Sequence, residues 1–343
     1  LTRSQGGGIL LLAGFMKLRA GRGLDVLTAA RSGNSHPTEE QSVGRRNPPQ
    51  SRRIWLAVIA AAALLTPIGA VQAQGQPEVP AIAVSDTIYE IRTSDGDLLY
   101  ARVAAVEGDQ VTLETISGVR LDVSHAKIKR FQPASGELVR GEFWPEDVHA
   151  TRLFFAPTGR SLRMGETNFG IHEVIAPFFS VGFTDRIMLS VGGAPLIGEF
   201  SFGYIAPKVE IISRPKFSFA IGGLGLFGTT RFEQRLVYGV GTFGDRNSAL
   251  TAGATWFLTG HDPDDRPSFM LGGEHRVSRR LKLLTENYVA LRGSSALLSG
   301  GIRILGDQFS ADFGMGAQAS VGPRRSKCCI PMVNVSYLIG SGK

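Results

Sequence analysis

Along residues 151–340, apolar and polar side chains alternate in short runs, each closed by Gly, Asp, Asn, Ser or Arg. From Tyr204 to Ile212, the residues Ile205, Val209 and Ile211 share one face and Lys208 and Glu210 the other, the period of two that a strand imposes. Leu250, Ala252, Ala254, Trp256 and Leu258 oppose Thr251, Gly253 and Thr255 in the same way. Phe309, Ala311, Phe313 and Met315 oppose Ser310, Asp312 and Gly314. The pattern predicts strands at 150–156, 168–183, 187–197, 203–212, 216–229, 235–243, 248–258, 267–277, 281–291, 296–305, 308–318 and 330–339. Helix-like periods are scarce.

A sheet of this length closes as a membrane barrel or packs as a soluble sandwich, and the connections discriminate. Thr184–Arg186, Ser213–Pro215, Gly244–Asn247, Ser278–Arg280 and Gly306–Asp307 are short, whereas 157–167, 198–202, 230–234, 259–266, 292–295 and 319–329 are mostly longer. Short turns on one side and longer loops on the other are the pattern of transmembrane barrels. An even strand count leaves both termini on the periplasmic side. The expected fold is therefore all-β, an antiparallel transmembrane β-barrel of about 12 strands over 150–340. Ile205, Val209, Ile211, Leu250, Trp256, Phe309 and Phe313 are expected to face lipid.

Ahead of the barrel, Arg45, Arg46, Arg52 and Arg53 precede the apolar run Ile54 to Leu65, then Pro67, Gly69 and the small-residue site Val71-Gln72-Ala73. Charged, hydrophobic and cleavage regions in that order predict a secretory signal peptide cut after Ala73. Residues 1 to about 42 are expected to be an over-extended reading frame, with Val43 a candidate start. Residues 74–83 and 132–149 read as linkers. Between them, 84–131 holds runs at 88–93, 98–106, 110–115, 119–123 and 128–131, with Asp95-Gly96, Gly108-Asp109 and Ser117-Gly118 as turns. This stretch resembles the small all-β modules of exported bacterial proteins and is expected to form an SH3-like β-domain, a plug or spacer.

The stretches Thr151-Arg152-Leu153-Phe154-Phe155-Ala156-Pro157-Thr158-Gly159-Arg160, Met164-Gly165-Glu166, Tyr238-Gly239-Val240-Gly241-Thr242-Phe243-Gly244-Asp245-Arg246 and Thr285-Glu286-Asn287 resemble a family of uncharacterised outer-membrane β-barrel proteins. The resemblance covers about residues 150–340. It implies location and architecture and no activity. The ending Tyr337-Leu338-Ile339-Gly340 departs from the aromatic terminal residue usual in such barrels.

The formal charge of +7 changes little. Nine of the 37 basic side chains but three of the 30 acidic ones lie in residues 1–73, leaving 28 against 27. Nucleic acid is thereby discounted, and the expected partners are outer-membrane lipid and the barrel-insertion machinery. Cys328 and Cys329 are adjacent and read as loop residues beside the last strand, with neither a disulfide framework nor a metal set around them.

Gly223-Leu224-Gly225-Leu226-Phe227-Gly228 matches a dinucleotide fingerprint, but a strand follows it where pyrophosphate binding needs a helix N-terminus. His261-Asp262-Pro263-Asp264-Asp265 lacks the glycine and distal glutamate of a dedicated calcium loop. His172-Glu173 and Glu274-His275 are the adjacent pairs with hydrolase chemistry, and neighbours on a strand face opposite ways. No cofactor is expected.

On the faces opposite the apolar rows lie Lys208, Arg235, Arg276, Lys282 and Arg303 against Glu210, Glu274, Glu286 and Asp312. Near-balanced charge in a narrow lumen favours pairing over an open, singly charged pore. The expectation is a non-enzymatic barrel, structural or a narrow channel, with these residues as an internal ion network. The competing readings are a barrel-rim hydrolase and a soluble periplasmic β-protein that binds a small ligand.

Overall fold

The structure is a computed structural model that describes residues 82–197, 200–228, 234–258, 267–290, 295–320 and 327–340. The signal peptide and leader read at 1–73, most of the linker at 74–83 and the acidic loop at 261–265 lie outside the described residues.

Five strands, β1 (Ser85–Thr93), β2 (Leu98–Glu107), β3 (Gln110–Thr115), β4 (Arg120–Ser124) and β5 (Ile128–Pro133), form an antiparallel sheet in the order β4-β3-β2-β1-β5. Gly96 and Gly118 turn the chain at φ +93° and +81°, a region glycine enters without steric cost. The inward rows Ile91, Ala101, Val103, Val111, Leu113, Ile128 and Phe131 make a small closed core. Within the stretch read as a linker, β6 (Gly136–Val139) and β7 (Glu142–Pro145) pair as a hairpin.

The remaining strands are β8 (Thr167–His172), β9 (Ala176–Gly182), β10 (Ile187–Ile197), β11 (Phe200–Arg214), β12 (Phe217–Gly228), β13 (Gln234–Gly244), β14 (Ser248–Phe257), β15 (Ser268–Ser278), β16 (Leu281–Ala290), β17 (Ser295–Leu305), β18 (Phe309–Ser320) and β19 (Lys327–Ile339). They make one antiparallel closed barrel whose seam joins β19 to β8, with Tyr337 opposite Phe169. The turns at 183–186, 215–216, 245–247, 279–280 and 306–308 fall at one end, where the N-terminal segment enters and the last strand leaves.

Two expectations about the wall are corrected. Residues 150–156 are not a wall strand; apart from a single bridge between Arg152 and Pro157 they are irregular and buried. Residues 168–183 are not one strand but two, because Glu173 and Val174 adopt φ +53° and +65° and reverse the chain. Glu173 therefore lies in a turn and not on a strand face. One strand lost and one gained leave the count at 12. The stretch 157–167 is consequently no outer loop, since it runs from inside the barrel to β8.

Burial alternates along each wall strand. In β15, Phe269, Leu271, His275 and Val277 are exposed while Met270, Glu274 and Arg276 are buried. Ile205, Ile211, Leu250, Trp256, Phe309 and Phe313 are exposed on the outer surface, and Val209 sits half-buried in the same outward row. A belt of exposed Ile, Leu, Val and Phe running around the barrel far exceeds the apolar patches of a soluble monomer. With charge inside and apolar side chains outside, this is a barrel of the outer-membrane type. No described helix is long and apolar enough to cross a membrane.

Candidate functional site

Strand register places Arg276 opposite Lys282, Lys282 opposite Arg303, Arg303 opposite Asp312, and Asp312 opposite Asn334. All five point into the lumen and are buried. Like charges directly opposite one another destabilise a sheet, so a row of three cations and one acid is unbalanced as a wall. The wall supplies two pairs of its own, Arg303 Nε to Asp312 Oδ1 at 2.6 Å and Lys282 Nζ to Glu274 Oε2 at 3.0 Å.

The rest comes from residues 146–163, which thread the interior. Asp147 takes Lys282 Nζ at 2.5 Å, Arg152 donates to Asp312 Oδ2 at 2.6 Å, and Arg160 donates to Glu274 Oε1 at 2.7 Å. Backbone groups of the same segment, which has no sheet partner, are met by wall side chains. Glu286 Oε2 accepts from the N–H groups of Phe155 and Ala156 at 2.9 and 3.0 Å, and Glu210 Oε2 accepts from Ser161 N–H at 2.8 Å. Lys208 Nζ donates to the carbonyls of Thr151, Thr158 and Arg160, and Arg303 donates to those of His149, Arg152 and Leu153. These anchors stand on β11, β15, β16, β17 and β18, and Thr242 on β13 adds a bond to Gly159 N–H. A segment held from so many strands fills the lumen at that level.

Apolar packing locks it further. A Cβ at Gly272 would lie 2.3 Å from Leu153 Cδ1 and 2.6 Å from the Thr285 carbonyl; one at Gly314 would lie 2.7 Å from Phe154 Cζ. The two wall glycines are therefore sockets for consecutive plug side chains. Replacing Gly272 by Val is expected to cost about 1–3 kcal/mol of stability through overpacking. Urea unfolding of the protein in lipid vesicles measures it, and Gly300→Ala, whose added Cβ meets only the Leu284 carbonyl at 3.8 Å, is the neutral control.

Of the nine residues assigned to the lumen, Lys208, Glu210, Glu274, Arg276, Lys282, Glu286, Arg303 and Asp312 are buried inside, whereas Arg235 is exposed. Arg276 lies nearest the mouth, donating to Pro145 O at 2.6 Å and stacking its guanidinium 5.2 Å from the centre of the Trp144 ring. Sequence reasoning missed the partners Asp147, His149, Arg152 and Arg160. The available signal was three cations at wall positions that register places side by side, a demand for acids that the wall alone does not meet.

His172 turns inward to Asn334 at 2.9 Å and stacks on Phe178, while Glu173 lies in the adjoining turn. Glu274 and His275 face opposite sides of the wall; His275 meets Ser248 Oγ at 2.7 Å on the outside. Gly223 to Gly228 lie wholly within β12. Cys328 and Cys329 are exposed members of β19 rather than loop residues. Among the described residues no group of three or more His, Cys, Asp or Glu is placed to hold a metal ion.

The plug's own titratable groups make its seating pH-dependent. Burial, reinforced by Arg303 and Arg152 against Asp147 and Asp312, depresses His149 from 6.5 to about 4. Burial opposes ionisation of Asp147, but Lys282 and Arg303 outweigh it and hold the carboxyl below the usual range. A depressed histidine stays neutral when docked and takes a proton when released. Its contribution is thus intact above 6.5 and is lost as pH falls toward 4. Across that window the plug is expected to loosen about tenfold per pH unit for one linked proton. Limited proteolysis at residues 146–163 as a function of pH reads this out.

Beyond the plug, toward the end opposite the short turns, the lumen retains a cavity of about 280 Å³ floored by Thr151, Arg152, Phe155, Ala156 and Pro157. At the short-turn end, a wider cleft of about 950 Å³ lies between the barrel, the β6–β7 hairpin and the five-stranded sheet.

No protein-family model and no curated protein sequence matches this chain. Among solved structures, Pseudomonas aeruginosa OccK10 (OpdN) aligns at 12% identity and TM-score 0.30 over 75% of this chain and 78% of that one. Acinetobacter baumannii OccAB4 aligns at 9% and 0.30 over 73% and 68%, and outer-membrane expressed OmpT of Vibrio cholerae at 11% and 0.29 over 73% and 93%.

Proposed function

We propose that the protein is an outer-membrane barrel held closed by its own residues 146–163, serving as a structural protein or as a narrow channel gated by that segment. The observation that carries this reading is the set of ion pairs Arg152–Asp312, Arg160–Glu274 and Asp147–Lys282, which join plug to wall at buried positions. Each pair leaves a charge stranded in a dry interior if the plug departs, which makes the filled state the favoured one. In this reading the chain is exported by a cleaved signal peptide and placed in lipid by the barrel-insertion machinery. The five-stranded sheet is an SH3-like module at the periplasmic mouth. Its placement is supported by Arg279 lying 5.7 Å from the centre of the Tyr100 ring and by the cleft shared with the barrel.

Planar-bilayer recording tests the proposal. The wild-type protein is expected to give no large steady conductance, and the double variant Arg152→Gln, Arg160→Gln is expected to show long openings. Steady porin-like conductance from the wild type would overturn it.

A further inference from the structure

Cys328 and Cys329 lie at the start of β19, at the end of the wall opposite the short turns, and both are exposed. Successive residues of a strand face opposite ways, so an adjacent pair is ordinarily split between the two sides of a wall. The pairing with β18 prevents this. Lys327 pairs with Gln318 and Ile330 with Gly316, so three steps on β19 answer two on β18, and both cysteines oppose Ala317. One extra residue in one strand is a bulge, and Cys329 at φ +66° shapes it. The two side chains are thereby brought to one side, where the Cys329 thiol hydrogen-bonds to Cys328. A third sulfur stands near them. Met315 shares the outward face of β18 with Ala317, is 56% exposed and pairs with Pro331, just past the bulge. Diagonal neighbours on one face of a sheet are about 7–8 Å apart, a gap that a long, flexible thioether side chain can close.

We propose that Cys328 and Cys329, joined by Met315, bind a soft metal ion of the cuprous type at this end of the barrel. The donor set is all sulfur, and thiolate and thioether ligands select soft ions over the hard cations that carboxylates hold. Binding one cuprous ion forms two Cu–S bonds to the thiolates and releases their two protons to water, with no change in oxidation state. The thioether fills a third position. A disulfide between the two cysteines competes poorly, because Cα atoms joined by a trans peptide are about 3.8 Å apart where a relaxed disulfide spans roughly 4.4–6.8 Å. The site is independent of the plugged lumen, since its residues stand on the exposed side of β18 and β19.

Titration of the reduced full chain in lipid nanodiscs with copper(I), under nitrogen and against a chromophoric cuprous chelator, tests it. One ion per chain is expected. Cys328→Ser and Cys329→Ser are each expected to weaken binding by about a hundredfold and Met315→Leu by about tenfold, as arms of a chelate are removed. Phenylarsine oxide isolates the thiol pair, because its arsenic joins two thiols and its oxygen leaves with their protons as water. The wild type and Met315→Leu are expected to take up one phenylarsenic group alike, read by intact mass, and neither cysteine variant to retain it. The folded chain is expected to bind the arsenical about tenfold more tightly than the heat-denatured chain, since the bulge has already aligned the pair. Heat-modifiability on a gel shows that the three variants, all at exposed positions, still fold. Cuprous binding unchanged in either cysteine variant, or equal arsenical affinity of the folded and denatured chains, would overturn the site. Cuprous affinity unchanged in Met315→Leu would overturn the thioether's part in it.

Discussion

Replacing Asp312 by Ala is expected to destabilise the protein by about 3–5 kcal/mol, the range for removing one partner of a buried ion pair. Asp312 is fully buried and receives two guanidinium groups, Arg303 from the neighbouring strand and Arg152 from the plug. Asp312 is the carboxylate to which both donate directly; their other bonds go to carbonyls of residues 149–154 and to Ser336. The loss therefore strands two cations rather than one. Urea titration in lipid vesicles reads the stability, and a double variant Asp312→Ala, Arg152→Met should recover part of it, because one uncompensated charge is removed with its partner. A cost within 1 kcal/mol would mean that the lumen is wetter than this geometry implies.

Replacing Val209 by Arg probes the other face and is expected to cost about 2–4 kcal/mol near mid-membrane. Val209 lies in the middle of β11, in register with Ile187 and Ile221, on the outward row with Ile205 and Ile211. Its neighbour Lys208 is buried on the opposite face, where its ammonium donates to three carbonyls inside. Moving a cation by one residue thus exchanges a coordinated interior for hydrocarbon. Folding into vesicles with undiminished stability would show that this face does not meet lipid.

The wall was legible in the sequence because lipid on one side and charge on the other force a strict period of two. The runs around Val209, Leu250 and Phe313 all lie as that period places them. The plug was not legible, for a physical reason. Leu153 and Phe154 are consecutive and both buried, each in its own glycine socket, so no period marks them. Its backbone is satisfied by Glu210, Glu286 and Lys208 rather than by a neighbouring strand, and such pairing leaves no trace in the spacing of the segment itself. The turn at Glu173 and Val174 was hidden for another reason. A β-branched residue at positive φ is a sterically disfavoured choice, and a reading that looks for Gly or Asn at turns passes over it. The lumen charges were identifiable from their faces, but their partners stand up to 160 positions away, as Arg152 and Asp312 do.

The seam between β8 and β19 sets an order of events for biosynthesis. The segment that fills the lumen precedes every wall strand in the chain, while the two strands that meet at the seam are the first and the last of the wall. Contacts so distant in sequence form slowly, because the chain entropy of closing the loop must be lost before they contribute. Until β18 arrives, the row Arg276, Lys282 and Arg303 from β15, β16 and β17 stands without Asp312, and its repulsion favours an open, curled sheet. The plug, present from the start and carrying Asp147 and a run of free carbonyls, is the counter-charge on which that sheet can wrap. Closure of the wall and capture of its contents then become a single late step, and a chain that lost the plug would meet its difficulty at assembly before it met one in conduction.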